Sequence, residues 1–214
     1  MAVKKILFVC TGNTCRSGMA AGLAREVLRS WGREDIVVSS AGTAAQIGVP
    51  ATPEAIAAAA ELGADLQPHR ACPLTPELAR EADLILTMTR MHKKDVERLV
   101  PEARGRTFTL KEYAGRKTLA DLEARLLELA AAVARVERGT EGENSGDHSG
   151  KNREELVRSL TGELRHLEAE LGDMDIPDPI GCGLDEYRRC AAELQQEVTR
   201  ALRRFLEEGA RPDG

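Results

Sequence analysis

A cysteine and an arginine with five residues between them lie close to the start of the chain, in the run Cys10-Thr11-Gly12-Asn13-Thr14-Cys15-Arg16-Ser17. An apolar segment typical of a buried strand precedes this run, and a segment with helical spacing follows it. A turn between a parallel strand and a helix directs several main-chain N–H groups into one concavity, and the helix adds the positive end of its dipole. The spacing therefore predicts a phosphate-binding loop, residues 10–17.

The residue types in this loop suit nucleophilic attack on a phosphate monoester. The planar guanidinium of Arg16 has paired donors that match phosphate oxygens. The helix dipole and Arg16 favour the thiolate form of Cys10, and the Ser17 hydroxyl can donate a hydrogen bond to that sulfur. Cys10 is therefore predicted to be the nucleophile. Gly12 and Asn13 are predicted to take the left-handed backbone conformation of the turn.

Thiolate attack also needs an acid that protonates the leaving group, and the late run Asp175-Ile176-Pro177-Asp178-Pro179-Ile180-Gly181 offers one. Asp178 is the better candidate because prolines on both sides stiffen its position. Asp175 is a rival. Both carboxylates could instead begin the last helical region, a frequent role of Asp beside Pro. Spacing alone leaves these roles open.

Short apolar runs alternate with helical segments through the first 115 residues. This alternation predicts an α/β fold with a doubly wound, four-stranded parallel sheet flanked by helices. The predicted strands are Lys4–Cys10, Ile36–Ser39, Asp83–Met88 and Thr107–Leu110. The predicted helices run from Ser17 to about Trp31, from Thr52 to Leu62, from Thr75 onwards, from Met91 to Val100 and from Leu184 to Leu206.

A heptad seam of leucine and valine interrupts this pattern. Its members recur at alternating steps of three and four residues on both sides of a polar stretch, Gly139 to Asn152. The composition of this stretch predicts a loop. We predict an inserted α-helical, coiled-coil-like hairpin over residues 117–171, between the two parts of a phosphatase domain, residues 1–116 and 172–214. The seam could support substrate docking or self-association, or the two helices could simply bury it against each other. Its members are Leu119, Leu122, Leu126, Leu129, Val133, Val136, Val157, Leu160, Leu164, Leu167 and Leu171.

Composition excludes several classes of partner. The net charge of −5, from 35 acidic and 30 basic residues, provides no electrostatic footprint for nucleic acid or an anionic membrane surface. No apolar run approaches the roughly 20 residues that span a bilayer. Five cysteines without a CxxC pair are typical of the reducing cytosol, so a cytoplasmic protein is predicted.

The residues 10–17 loop and the Asp178-Pro179-x-Gly181 element resemble the low-molecular-weight protein-tyrosine-phosphatase family. The resemblance continues through short runs such as Ser40-Ala41-Gly42 and His69-Arg70, and it covers nearly all of residues 3–115 and 173–207. It implies hydrolysis of phosphorylated protein side chains without metal or cofactor. It further implies that Cys10 is the nucleophile, that Arg16 binds phosphate, that Asp178 is general acid and then base, that Thr11, Gly12, Asn13, Thr14, Cys15 and Ser17 form the substrate loop, and that His69 braces Asn13.

Thr14 makes the loop similar to the bacterial protein-arginine phosphatase branch of that family, because tyrosine-specific members commonly have a larger aliphatic residue there. A threonine leaves room for a wide, polar guanidinium and can hydrogen-bond to it. Ile180 stands where family members often carry an aromatic residue, and Gly42 to Pro50 contains none. Phosphoarginine is therefore the predicted substrate, with phosphotyrosine as the alternative.

Cysteine chemistry raises two other hypotheses. Arsenate reductases resemble this fold and use two further cysteines as a redox relay, but Cys72, Cys182 and Cys190 form no such pair in the sequence. That activity is ranked below hydrolysis. A disulfide between Cys10 and Cys15 could protect the nucleophile and switch the enzyme off. Cys15 could equally be a small buried packing residue.

Overall fold

The structure is a computed structural model that describes residues 3–115, 119–138, 149–172 and 174–209. The chain divides into two compact units. One is an α/β unit made of Met1–Arg116 and Asp175–Gly214, and the other, Lys117–Met174, is helical. The phosphate-loop residues and the Asp178 segment (residues 175–181) both belong to the α/β unit.

The α/β unit is built on a parallel sheet of four strands in the order β2-β1-β3-β4. The strands are β1, Lys4–Cys10; β2, Ile36–Gly42; β3, Leu84–Thr87; and β4, Thr107–Thr109. This confirms the predicted four-stranded parallel sheet. β2 is longer than predicted because residues 40–42 continue to pair with β1, although Ser, Ala and Gly have low strand propensity.

The helices occur in the predicted alternation with the strands, and they add two short elements that the sequence reading missed. Runs of five and six residues are too short to show helical periodicity. The missed elements are a five-residue helix, Leu110–Ala114, and a 3-10 helix, Pro101–Arg106. The helices are α1, Arg16–Ser30; α2, Pro53–Glu61; α3, Pro76–Glu81; α4, Arg90–Leu99; α5, Leu110–Ala114; α6, Leu119–Arg138; α7, Ser149–Gly172; and α8, Leu184–Gly209.

Threonine hydroxyls cap several of these helices. The side chains of Thr52, Thr75 and Thr89 each accept a hydrogen bond from a main-chain N–H in the first turn of the helix that follows. Such a bond satisfies one of the N–H groups that have no partner within the helix. The Thr-Pro pairs that predicted the starts of two helices therefore mark the starts of α2 and α3.

Alternate residues of β1 point to opposite faces of the sheet. Ile6 and Phe8 belong to one buried core with residues of α1, α2, α5 and α8, whereas Leu7 and Val9 belong to a second core with residues of α3 and α4. β1 is therefore covered on both faces, as expected for the central strand of a doubly wound sheet. This burial fixes the position of the carboxyl end of β1, where the phosphate loop begins.

In the helical unit, α6 and α7 pack against each other where the sequence predicts the hairpin. The contact uses part of the predicted seam: Leu126, Leu129, Leu160, Leu164 and Leu167. Of the predicted loop, residues 149–152 are helical instead, and residues 139–148 lie outside the described residues. The sequence also predicts a frayed carboxyl-terminal end over residues 209–214, and all of these except Gly209, the last residue of α8, lie outside the described residues. Docking or self-association through the hairpin stays a prediction.

Gly42, the last residue of β2, allows the phosphate loop to pass close to the sheet. A Cβ at this position would lie 2.4 Å from the Thr11 carbonyl oxygen. We expect Gly42→Ala to lower the free energy of unfolding by about 1–3 kcal/mol, because the loop must move. Urea denaturation measures this change. Gly105→Ala is the control, since a Cβ there meets nothing within 4 Å, and equal losses for both variants would contradict the close approach.

Candidate active site

The phosphate loop lies at the carboxyl end of β1, the central strand of the sheet. Cys10 is the last residue of β1 and is fully buried. Two main-chain hydrogen bonds tie the start of the loop to the segment after β2: the Thr43 N–H donates to the Cys10 carbonyl at 2.9 Å, and the Ala44 N–H donates to the Thr11 carbonyl at 2.9 Å. The sulfur therefore sits on a rigid part of the fold.

Two donors point at the Cys10 sulfur. The Asn13 N–H lies 3.3 Å from Sγ, and the Ser17 hydroxyl lies 2.9 Å from it. Ser17 Oγ accepts a bond from the Asn13 side chain, and its own proton has two acceptors within reach, the Cys10 sulfur at 2.9 Å and the Ala41 carbonyl at 3.4 Å, of which the sulfur is the nearer. Within residues 3–115 and the other described ranges, the N–H groups of Gly12 and Thr14 donate to no protein acceptor. The loop can therefore stabilise a thiolate and an anion above it.

Asn13 gives the loop its shape. Its φ of 56° is left-handed, as predicted, and its side chain is fully buried. The amide donates to the Ser17 hydroxyl at 2.8 Å and to the Ser40 hydroxyl at 2.9 Å, and it accepts from the Cys72 N–H at 2.9 Å. The Asn13 carbonyl lies 2.6 Å from Nε2 of His69, the residue that the family resemblance assigned to this position. Ser40 and Cys72 were not predicted to take part.

Arg16 and Asp178 form an ion pair beside the loop. Arg16 is 3% exposed, and it also donates from its other terminal nitrogen to the Ile176 carbonyl at 3.2 Å. Its Nε is buried and has no hydrogen-bond partner within the described residues. The other Asp178 oxygen lies 3.8 Å from the Cys15 sulfur. The structure thus brings Arg16, Asp178 and the loop together.

Asp175, the rival carboxylate, points to a different place. It accepts a hydrogen bond from the Arg90 N–H at 2.8 Å, and its carboxylate lies 3.5 Å from Arg90 Nε. The neighbouring Ile176 N–H donates to the Met88 carbonyl at 2.8 Å. Asp175 therefore anchors the Asp178 segment to the β3–α4 junction (residues 88–92).

The remaining predicted residues are Gly12 and Thr14 in the loop and Ile180 in the Asp178 segment. Gly12 does not have a positive φ, so its predicted left-handed conformation is wrong: Asn13 alone makes that turn within the loop. Thr14 is half-buried, and its carbonyl accepts from the Thr52 N–H at 2.9 Å. Ile180 is 59% exposed, and its N–H donates to Asp178 Oδ1 at 3.2 Å. Thr14 and Ile180 both remain partly open to solvent.

His92 was missed by the sequence reading. Its ring is buried in α4, and Nε2 lies 2.8 Å from the hydroxyl of Thr11, the loop residue after Cys10. Burial lowers the pKa of His92, and the positive charge of Arg16 lowers it further. The position of His92 in the sequence could have indicated this contact. Residues that follow β3 lie at the same edge of the parallel sheet as the loop that follows β1.

The five cysteines are all free thiols. Cys15 is a buried residue of the loop, and burial, together with the nearby Cys10 sulfur, raises its pKa to about 11. Burial likewise raises the pKa of Cys190 to about 12, with Cys15 as the next cause. Cys72 and Cys182 are exposed. Cys15 and Cys190 are therefore neutral thiols at neutral pH.

Other features lie away from the loop. A cavity of about 810 Å³ opens at the amino-terminal ends of the strands, the opposite edge of the sheet, and none of residues 10–17 lines it. Among the described residues, no group of three or more His, Cys, Asp or Glu side chains could hold a metal ion. No helix in the described part of the chain is long and apolar enough to cross a membrane.

The raised pKa of Cys15 predicts a pH-dependent difference in alkylation. Between pH 6 and 8, iodoacetate should modify Cys10 before Cys15, because Cys15 stays protonated until the pH approaches about 11. Cys15 labelling should begin only as the pH rises towards that value. Mass spectrometry of peptides after timed labelling measures both rates, with exposed Cys182 as an internal control. Cys15 modification as fast as Cys10 modification at pH 7 would contradict the assignment.

Comparisons with known proteins identify relatives of this chain among phosphatases. The family model "Low molecular weight phosphotyrosine protein phosphatase" matches residues 5–126. A probable low molecular weight protein-tyrosine-phosphatase of Ralstonia solanacearum, EpsP, is 36% identical over 65% of this chain and 92% of its own length. The protein-arginine-phosphatase of Bacillus subtilis is 44% identical over 50% of this chain and 71% of its own length.

A solved structure shows the same fold. The YwlE arginine phosphatase from Geobacillus stearothermophilus superposes with a TM-score of 0.64 at 26% identity, over 99% of both chains. The match to the family model covers more than half of the 214 residues. This chain therefore belongs to the low molecular weight phosphotyrosine protein phosphatase family, whose relatives include tyrosine and arginine phosphatases.

Proposed function

We propose that this protein hydrolyses phosphorylated protein side chains through a cysteinyl-phosphate intermediate, and that phosphoarginine is its preferred substrate. The Cys10 sulfur attacks phosphorus and forms an S–P bond while the bond to the leaving nitrogen breaks. Ser17 and Asn13 support this step because both donate hydrogen bonds to the sulfur, at 2.9 and 3.3 Å. No metal or cofactor takes part in the proposed reaction.

Asp178 takes the role of general acid and then of general base. It donates a proton to the leaving nitrogen, and its carboxylate then accepts a proton from the water that attacks the intermediate and releases the Cys10 thiolate. This role is supported by the contacts of the Asp178 carboxylate with Arg16 and Cys15, two residues of the loop. Asp175 instead accepts a hydrogen bond from the Arg90 N–H. A bound phosphoryl group competes with Asp178 for the Arg16 guanidinium, which frees the carboxyl for proton transfer.

The absence of an aromatic wall is the observation that carries the choice of phosphoarginine. A phenyl ring gains from flat aromatic neighbours, whereas a guanidinium needs room and hydrogen-bonding groups. Near the loop, the partly open side chains are Thr14 and Ile180. All six aromatic residues of the chain are described, and none offers an open ring face beside the loop. Phe8 is buried, Phe108, Tyr113 and Phe205 line the cavity at the opposite sheet edge, and Trp31 follows α1. Tyr187 lies near Thr52, Cys15 and Asp178, but its side chain is buried.

Phosphotyrosine hydrolysis is the second candidate. EpsP and other relatives carry the name of tyrosine phosphatases, although the arginine phosphatase of Bacillus subtilis has a higher identity over its matched region. Arsenate reduction has less support, because it requires two relay cysteines. Cys72 is exposed and contacts the Pro73 carbonyl, and burial holds Cys190 as a thiol.

The substrate proposal predicts the effect of enlarging Thr14. The unmodified protein should have a higher kcat/KM for a phosphoarginine peptide than for the matching phosphotyrosine peptide. Thr14→Ile should lower the phosphoarginine value by about tenfold or more, because the added methyl group fills the space of the guanidinium and the hydroxyl is lost. Thr199→Ile, on α8, is the control. Equal or better phosphotyrosine turnover by the unmodified protein would overturn the preference for phosphoarginine.

The acid role predicts a dependence on the leaving group. Asp178→Asn should lower kcat by about 100-fold or more for phosphoarginine and phosphotyrosine peptides, because no proton is supplied to the leaving atom. The loss should be smaller for p-nitrophenyl phosphate, whose leaving group is stable as an anion. Asp185→Asn is the control, since that side chain is 86% exposed at the start of α8. Equal losses for all three substrates would assign Asp178 a structural role instead.

A further inference from the structure

We propose that His92 is a positioning residue for the reaction. Its ring donates a hydrogen bond to Thr11, and this bond keeps the phosphate loop aligned with the Asp178 segment. The proposal rests on the proposed function, because it concerns the same site. His92 touches neither Cys10 nor the ion pair. It acts through Thr11, the residue that follows the nucleophile.

The His92 ring is enclosed and bonded at both nitrogens. It is 5% exposed, with Nε2 2.8 Å from the Thr11 hydroxyl and Nδ1 2.9 Å from the Thr89 hydroxyl. A ring fixed on both sides has little freedom to rotate. The position of Thr11 is therefore tied to the first turn of α4.

The protonation of the ring follows from its partners. Burial and the charge of Arg16 lower the pKa of His92, while Asp95, Asp178 and Asp175 act in the opposite direction. The net direction is downward, so the ring is neutral at pH 7 and carries a single N–H.

The neighbouring hydroxyl decides which ring nitrogen holds that proton. Thr89 Oγ1 accepts a bond from the His92 main-chain N–H at 3.3 Å, and its own proton has no other acceptor within the described residues. That proton is therefore directed to Nδ1. Nε2 carries the ring proton and donates it to Thr11.

Thr11 is consequently held from both sides. Its carbonyl accepts from the Ala44 N–H at 2.9 Å, on the β2 side of β1, and its hydroxyl accepts from His92 on the β3 side. Because β1 lies between β2 and β3, these two bonds oppose each other across the loop. Loss of the His92 bond leaves Thr11 anchored from the β2 side alone.

The β3–α4 junction also holds the Asp178 segment. The Arg90 N–H donates to Asp175, and the Met88 carbonyl accepts from the Ile176 N–H. One short stretch of chain thus contacts the loop that carries the nucleophile and the segment that carries the proposed acid. A shift between these two parts should slow the chemical step more than it weakens substrate binding, because attack needs close alignment of the reacting groups.

Three variants test this role with p-nitrophenyl phosphate as substrate. His92→Phe removes both ring nitrogens and keeps a ring of similar shape, and Thr11→Val removes the hydroxyl. Each should lower kcat by about tenfold to a hundredfold with a smaller change in KM. Their double variant should be no slower than the slower single variant, because both remove the same bond. His92→Gln, whose amide N–H can reach the position of Nε2, should recover most of the activity.

Thermal unfolding of each variant separates positioning from loss of fold. If His92→Phe does not fold, the comparison of His92→Gln with Thr11→Val still decides: near-normal kcat in the first and a reduced kcat in the second supports the proposal. Additive losses in the double variant, or an unchanged kcat in Thr11→Val, would overturn it.

A measurement without turnover distinguishes this proposal from the proposed function. The alkylation rate of Cys10 by anionic iodoacetate, relative to neutral iodoacetamide, reports how well the loop binds an anion beside the sulfur. This ratio should fall in His92→Phe and Thr11→Val alike, even if the unmodified protein hydrolyses none of the phosphorylated substrates. An unchanged ratio in both variants would overturn the positioning role, whatever the activity of the unmodified enzyme.

Discussion

The buried amide of Asn13 is the interaction on which the phosphate loop depends. Its hydrogen bonds reach Ser17 at the start of α1, Ser40 in β2 and the main chain of Cys72, so three separate segments meet at one side chain. A buried polar group left without a partner costs about 1–3 kcal/mol. Each of these hydrogen bonds therefore favours the loop conformation in which the Asn13 side chain is fully bonded. The left-handed turn at Asn13 in turn directs its N–H towards the Cys10 sulfur.

The second constraint is the burial of the Arg16 charge. A guanidinium that is removed from water needs a counter-charge and hydrogen-bond acceptors, and Asp178 and the Ile176 carbonyl supply them. Arg16 Nε nevertheless lacks a partner within the described residues. A phosphate oxygen is the kind of acceptor that would satisfy it. The Arg16 guanidinium is therefore only partly satisfied by protein groups and keeps a donor for an anion.

The helical unit precedes the Asp178 segment in the chain, yet the bonds that place this segment all lie within the α/β unit. Arg16, Met88 and the Arg90 N–H hold residues 175–178. An insertion between two parts of a fold costs little, because loop-closure entropy rises slowly with length. Within the helical unit, Leu129 and Leu167 are buried, and Leu126, Leu160 and Leu164 pack against them, so part of the seam is used between α6 and α7.

The sequence by itself determined what depends on local pattern. Apolar alternation located all four strands, threonine–proline pairs located helix starts, and the position of the Cys10–Arg16 run located the connection between β1 and α1. The tertiary structure decided which distant residues meet. It separated Asp178 from Asp175, extended β2 through Gly42 and brought His92 to Thr11. The order of strands places the ends of β2 and β3 on either side of β1, and hydrogen bonds between those ends depend on that order, which no local pattern encodes.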